Sequence, residues 1–209
     1  MCVCLCVDLW GSPLFLTPVL PPSFFPYSTH VQGRSYKYYA GPVLYPFGFG
    51  LSYTTFALSG DCPSTSASPQ AWSLPPGTTR AALRAGAGGN TSCSVTVKNT
   101  GTAAGDEVVM VFVSPGASAK AAAQPDPLAI KRLVGFQRVS LGAGENITIP
   151  FTFDPTALAE VNGEGDRVIY QGDYTFTATR GHGEEVQWPV KVLLSPGDTS
   201  LLVRRYPRL

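Results

Sequence analysis

Residues 93–98 read Cys-Ser-Val-Thr-Val-Lys, residues 99–101 Asn-Thr-Gly, and residues 107–113 Glu-Val-Val-Met-Val-Phe-Val. In the first stretch Cys93, Val95 and Val97 alternate with Ser94, Thr96 and Lys98, the period of two that gives a strand one apolar and one wet face. The last stretch is a continuous apolar run, which predicts a central strand covered on both faces. Between them Asn99-Thr100-Gly101 predicts an Asx-type turn with a positive-φ glycine. The alternation returns in Ile147, Ile149, Phe151 and Phe153, in Tyr174, Phe176 and Ala178, and in Val186, Trp188, Val190 and Val192. Turn signals at Gly142-Ala143-Gly144, Asn162-Gly163 and Gly165-Asp166 separate these segments. About seven short strands within roughly 100 residues predict an all-β, two-sheet sandwich of the immunoglobulin or fibronectin type III kind.

Upstream the pattern is lost. From Ser23 to Phe56 the chain is dense in aromatics, including Tyr36, Tyr45, Phe47, Phe49 and Tyr53, punctuated by Gly33, Gly41, Gly48, Gly50, Pro42 and Pro46. Neither helical nor strand period runs through it, so it predicts an irregular, extended segment packed across another surface. Ser59 to Gly89 is rich in Pro, Ser, Ala and Gly and reads as a linker, with a helical turn at Arg80 to Arg84. The expected organisation is an atypical, disordered N-terminus at 1–22, a connector at 23–58, a linker at 59–89, the sandwich at 90–195 and a tail at 196–209.

The 209 residues are too few for a complete (β/α)₈ barrel of about 250 residues. Their 22 glycines and 19 prolines mark a turn-rich chain, and 44% hydrophobic residues suffice for a core. Fifteen basic against fourteen acidic residues leave a net charge of +1, which gives no field to recruit nucleic acid or an anionic membrane. Arg204, Arg205 and Arg208 read as a solvated tail.

The five cysteines, Cys2, Cys4, Cys6, Cys62 and Cys93, lack the spacing of a zinc site, so no metal is expected. Cys62 and Cys93 are candidates for a disulfide across the intervening stretch, and Asn90-Thr91-Ser92 and Asn146-Ile147-Thr148 are acceptor motifs for N-glycosylation. Together these lean toward an extracellular or secretory address. Met1 to Leu20 lacks a positive n-region, contains Asp8 and Pro13, and shows no small-x-small cleavage site, so it reads as neither a signal peptide nor a membrane span. We expect it to be the start of a truncated or mispredicted chain.

Two stretches carry a resemblance. The first is Gly33-Arg34-Ser35-Tyr36-Lys37-Tyr38-Tyr39 followed by Gly41-Pro42-Val43-Leu44-Tyr45-Pro46-Phe47-Gly48-Phe49-Gly50-Leu51-Ser52-Tyr53-Thr54-Thr55-Phe56. The second is Val97 to Gly101, Gly105 to Val109, Val113-Ser114-Pro115, Lys131 to Val139 and Gly172 to Phe176. In this order they resemble the C-terminal region of glycoside hydrolase family 3, especially its plant-type β-xylosidase/α-arabinofuranosidase branch. The first resembles the passage from the second catalytic domain to the last, and the second resembles the terminal fibronectin type III-like domain. The resemblance implies a retaining glycosidase acting on xylan or arabinoxylan, with two carboxylates about 5 to 5.5 Å apart. It places both in a barrel and an α/β domain upstream of the matched region, so this chain is expected to be inactive alone. It implies those two domains as partners, an extracellular or cell-wall location, and a packing or substrate-edge role for Arg34, Tyr36, Tyr45, Phe47, Phe49 and Tyr53. The alternative is a stand-alone carbohydrate- or protein-binding module with polysaccharide as its partner and these aromatics as stacking platforms.

No local constellation supplies chemistry. Asp106/Glu107, Glu184/Glu185 and the group Glu160, Glu164 and Asp166 sit at predicted turns or strand ends, where solvated or capping carboxylates are ordinary. His30 and His182 have no triad partners, and Gly86-Ala87-Gly88-Gly89 is a loop and not a phosphate cradle. No catalytic residue and no cofactor are expected.

Overall fold

The computed structural model describes residues 35–63 and 68–205. The N-terminus expected at 1–22, together with His30, Arg34 and Arg208, lies outside them.

Alternation becomes pairing in three antiparallel strands, β1 (Phe56–Asp61), β3 (Thr91–Asn99) and β6 (Asn146–Phe153), ordered β1-β3-β6. Facing them is a five-stranded sheet, β2-β10-β9-β4-β5, built from β2 (Gln70–Ser73), β4 (Gly105–Pro115), β5 (Arg132–Leu141), β9 (Gly172–Thr179) and β10 (Glu185–Leu193). Only β2 runs parallel to its neighbour, β10; the other pairs are antiparallel. The inner faces meet in one core, with Val95, Val97 and Ile149 from one sheet and Val109, Val111, Phe176, Trp188 and Val190 from the other. Phe176 lies at its centre, stacked on Trp188 at 5.6 Å and on Phe153 at 5.2 Å. A smaller sheet, β11-β8-β7, joins β7 (Glu160–Val161), β8 (Arg167–Tyr170) and β11 (Ser200–Arg204). Short helices occupy Ser35–Tyr38 (α1), Arg80–Arg84 (α2) and Ala117–Ala122 (α3).

Several expectations are corrected. The stretch 59–89 is not a linker: the end of β1, all of β2 and α2 lie in it, and Trp72, Leu74 and Leu83 are core residues. Its strands are too short, and too diluted by Pro, Ser and Gly, for alternation to stand out. The sandwich therefore begins at Phe56 and not at 90. The stretch 196–209 is not simply a tail, because β11 pairs antiparallel with β8 and buries Val203. Within it Arg205 lies 3.6 Å from the buried Asp166. The connector is not wholly extended either, since α1 interrupts it.

The turn at Asn99 forms as an Asx-turn, with the Gly101 amide donating to Asn99 Oδ1 at 3.0 Å. Gly101 does not take a positive φ. Glycine is required there by close approach: an added Cβ would lie 2.3 Å from Thr54 Oγ1. Between β4 and β5 the register slips at a β-bulge, where Val111 and Phe112 face Gly135 and Leu133. The continuous run in β4 is buried from Val109 to Val113, its inner residues by the core and its outer ones by the connector.

A disulfide joins Cys62, just past β1, to Cys93 in β3, with Cα atoms 4.4 Å apart. Closing a loop of this length contributes about 3 to 4 kcal/mol in the chain-entropy picture.

Candidate interdomain surface

The connector lies on the outer face of β4 and β5. Tyr36 stacks on Phe47 at 4.3 Å, and both meet Phe112 edge-on, at 5.8 and 6.2 Å. The Leu133 amide donates to the Tyr36 hydroxyl at 3.3 Å, and the Ile130 amide donates to the Lys37 carbonyl at 2.6 Å. Lys131 Nζ sits 5.0 Å from the centre of the Phe112 ring, a cation–π contact. Phe112 and Met110 point away from the main core, so this aromatic layer removes from water what an open sheet face would leave exposed.

Two glycines set the approach. Gly48 has φ +90° and lies so close to Met110 that a Cβ would overlap its terminal methyl. Gly181, φ +86°, packs on the Gly48 carbonyl, where a Cβ would come within 2.6 Å of the oxygen. Backbone conformation and space together demand glycine at both positions.

The connector's far end is tied by Asn99, which is fully buried and hydrogen-bonds through both amide atoms. Its Nδ2 donates to the carbonyls of Ala103 (2.8 Å) and Leu141 (3.1 Å). Its Oδ1 accepts from Thr54 Oγ1 (2.7 Å) and from the Gly101 amide. The Thr100 amide adds a bond to the Thr55 carbonyl at 2.8 Å.

The sequence-predicted aromatics thus divide. Tyr36 and Phe47 grip the sandwich, and Phe49 sits between Tyr45, at 4.9 Å, and His182, at 5.3 Å. Tyr45 and Tyr53 face outward with Leu44, 88% exposed, and Leu51, 94% exposed. Those two leucines and the exposed Val43 are the part of the surface that the aromatic count missed, because neither Val43-Leu44-Tyr45 nor Gly50-Leu51-Ser52-Tyr53 has a periodicity to reveal them.

Beneath Phe49 to Thr55 runs a cleft of about 410 Å³, bordered by Asp106, Glu107, Arg180 and His182. Its charges are engaged in structure. Arg180 Nη1 meets Glu107 Oε2 at 3.2 Å, both largely buried. Arg138 binds Asp106 at 2.5 Å, and hydrogen bonds from Ser140 and then Arg138 hold the Asp106 carboxyl below its ordinary range. The other candidate carboxylates are similarly placed. Glu160 pairs with Arg132 at 2.9 Å, Glu184 accepts from the Leu58 amide, and Glu185 accepts from Gln187. Among the described residues no group of three or more His, Cys, Asp or Glu is arranged to hold a metal ion.

Residues 107–181 match the fibronectin type III-like domain. The chain carries a fibronectin type III-like domain that matches the C-terminal part of GH3 xylosidases and glucosidases. It is 36% identical over 156 residues to an exo-1,4-beta-xylosidase of Emericella nidulans, covering 70% of this chain and 18% of that protein. A probable exo-1,4-beta-xylosidase of Aspergillus clavatus is 33% identical over 173 residues, covering 74% of this chain and 20% of the relative. Among solved structures, a GH3 beta-glucosidase of Bifidobacterium adolescentis superposes with a TM-score of 0.55 at 28% identity, covering 75% of this chain and 20% of that one. The chain therefore spans about a fifth of the length of these relatives.

Proposed function

We propose that this fibronectin type III-like portion serves a retaining β-xylosidase- or β-glucosidase-type glycosidase as a non-catalytic module, with the connector as its docking surface toward the catalytic barrel and α/β domains. The observation that carries the proposal is the connector's two-sidedness. Tyr36, Phe47, Gly48 and Asn99 fix one side to the sandwich, while Leu44, Tyr45, Leu51 and Tyr53 on the other side are largely exposed. Contiguous exposed apolar side chains of this size mark an interaction surface. Hydrolysis of xylan-type glycosides belongs to the whole enzyme in this reading, and the disulfide and the two glycosylation motifs support its residence in the secretory pathway or outside the cell.

A chimera tests the proposal: this chain replaces the matching segment of the Emericella xylosidase. The chimera is expected to hydrolyse an aryl xyloside, and the combined substitutions Leu44→Ser, Leu51→Ser and Tyr53→Ser are expected to lower its melting temperature by several degrees. A chimera whose stability and activity ignore those substitutions would sink the docking role. The isolated chain should release no nitrophenol from aryl xylosides or glucosides. Retention of the isolated chain on xylan, lost on Tyr36→Ala and Tyr45→Ala, would instead favour the carbohydrate-binding module.

A further inference from the structure

The two outer faces of the sandwich differ in kind. On the five-stranded sheet the connector covers the outer face of β4 and β5, whereas the outward positions of the three-stranded sheet are Ala57, Ser59 and Asp61 on β1, Ser92, Ser94, Thr96 and Lys98 on β3, and Asn146, Thr148, Pro150 and Thr152 on β6. Register places these in rows across the sheet, such as Ser59, Thr96 and Thr148, with Thr96 and Thr148 hydroxyls 2.8 Å apart. No large apolar side chain projects from this face, so burial would return little for excluding water from it.

Both glycosylation motifs end on it. Asn146 and Thr148 sit two apart on a strand and point to the same side, and both are exposed. Asn90, immediately before β3, and Ser92 are also exposed. Neither asparagine side chain makes a hydrogen bond with the described residues, while the Asn90 carbonyl is held by Gln70 Nε2. The middle residue of the first motif, Thr91, is fully buried, so modification there must precede folding, and the folded chain has only to leave room for it. The room is present at both positions. Asn90 and Asn146 lie at opposite ends of the face, eight residues apart along β3 by register, or about 27 Å at strand rise.

We infer that Asn90 and Asn146 both carry N-linked glycans, and that this face is the one kept permanently in water. The acceptor chemistry is a group transfer from a lipid-pyrophosphate-linked oligosaccharide. The asparagine Nδ2 forms a bond to the anomeric carbon, the bond from that carbon to the pyrophosphate oxygen breaks, and the lipid pyrophosphate leaves while the amide gives up one proton. The Asn146 glycan has a structural consequence. Among the described strands β6 pairs only with β3, so its outer edge offers backbone groups to another strand, and a bulky polar chain at its start obstructs that pairing.

This inference rests on the secretory residence proposed above, and the test separates the two. The full chain is expressed behind a cleavable secretion leader in a yeast host, so the leader supplies the compartment whatever the native address. Intact mass before and after amidase release should show two N-glycans, with each asparagine converted to aspartate on release. Asn90→Gln and Asn146→Gln should each remove one glycan and together remove both, and Ser92→Ala and Thr148→Ala should do the same while keeping the asparagines. Secreted, folded chain with the mass of the unmodified polypeptide, or with only one site occupied, overturns the assignment.

Discussion

Asn99 shows how one side chain joins segments that are far apart in sequence. Both of its amide atoms are used twice, toward Thr54 in the connector, Gly101 and Ala103 in its own turn, and Leu141 at the end of β5. Replacing it by alanine takes a partner from two carbonyls, a hydroxyl and an amide, which costs about 2 to 3 kcal/mol. Asn99→Asp should be worse, because a carboxylate would face the two carbonyls that now accept from the amide nitrogen. Urea denaturation of both variants measures this, and a loss below about 0.5 kcal/mol for the alanine variant would place the hub's stability elsewhere. The Asn-Thr-Gly turn was legible in the residues. The reason for its glycine was not, since positive φ and close approach both select glycine and only the position of Thr54 tells them apart.

Among the elements, β2 carries most against its appearance. Gln70-Ala71-Trp72-Ser73 is four residues in a Pro- and Ser-rich stretch, yet Trp72 is fully buried, lies edge-on to Phe176 at 6.2 Å, and belongs to the parallel pair with β10. Trp72→Ala should cost about 3 to 5 kcal/mol, as for other large aromatic deletions from a core, while Pro76→Ala in the exposed turn beyond it should be nearly neutral. Equal effects of the two in thermal melts would restore the linker reading. The long strands β3, β4, β6, β9 and β10 were readable because three or more alternating or continuous apolar positions outweigh local noise. Strands of four or five residues, such as β2 and β11, offer two inward side chains each, and two positions fit helix, strand and loop alike.

As a whole, the molecule has one polar sheet face in water, a main core between the two sheets, and an opposite face covered over β4 and β5 by a segment that is itself apolar on the outside. Leu51 and Tyr53 contribute nothing to holding the sandwich together, because they are almost wholly exposed. Their apolar area nevertheless remains a cost in solution that only association can relieve. The chain alone should therefore self-associate at high concentration through the connector. The combined substitutions Leu44→Ser, Leu51→Ser and Tyr53→Ser should suppress that association while leaving the stability of the isolated chain unchanged within about 0.5 kcal/mol, the ordinary range for exposed positions. Sedimentation velocity across a concentration series reads the first effect, and a thermal melt of the dilute monomer reads the second. The contrast with the chimera matters: the same substitutions are expected to destabilise the full-length assembly and spare the isolated sandwich. A drop of several degrees in the isolated chain would mean that the leucines and Tyr53 pack within the fold, and the connector's outer side would then no longer be available to dock.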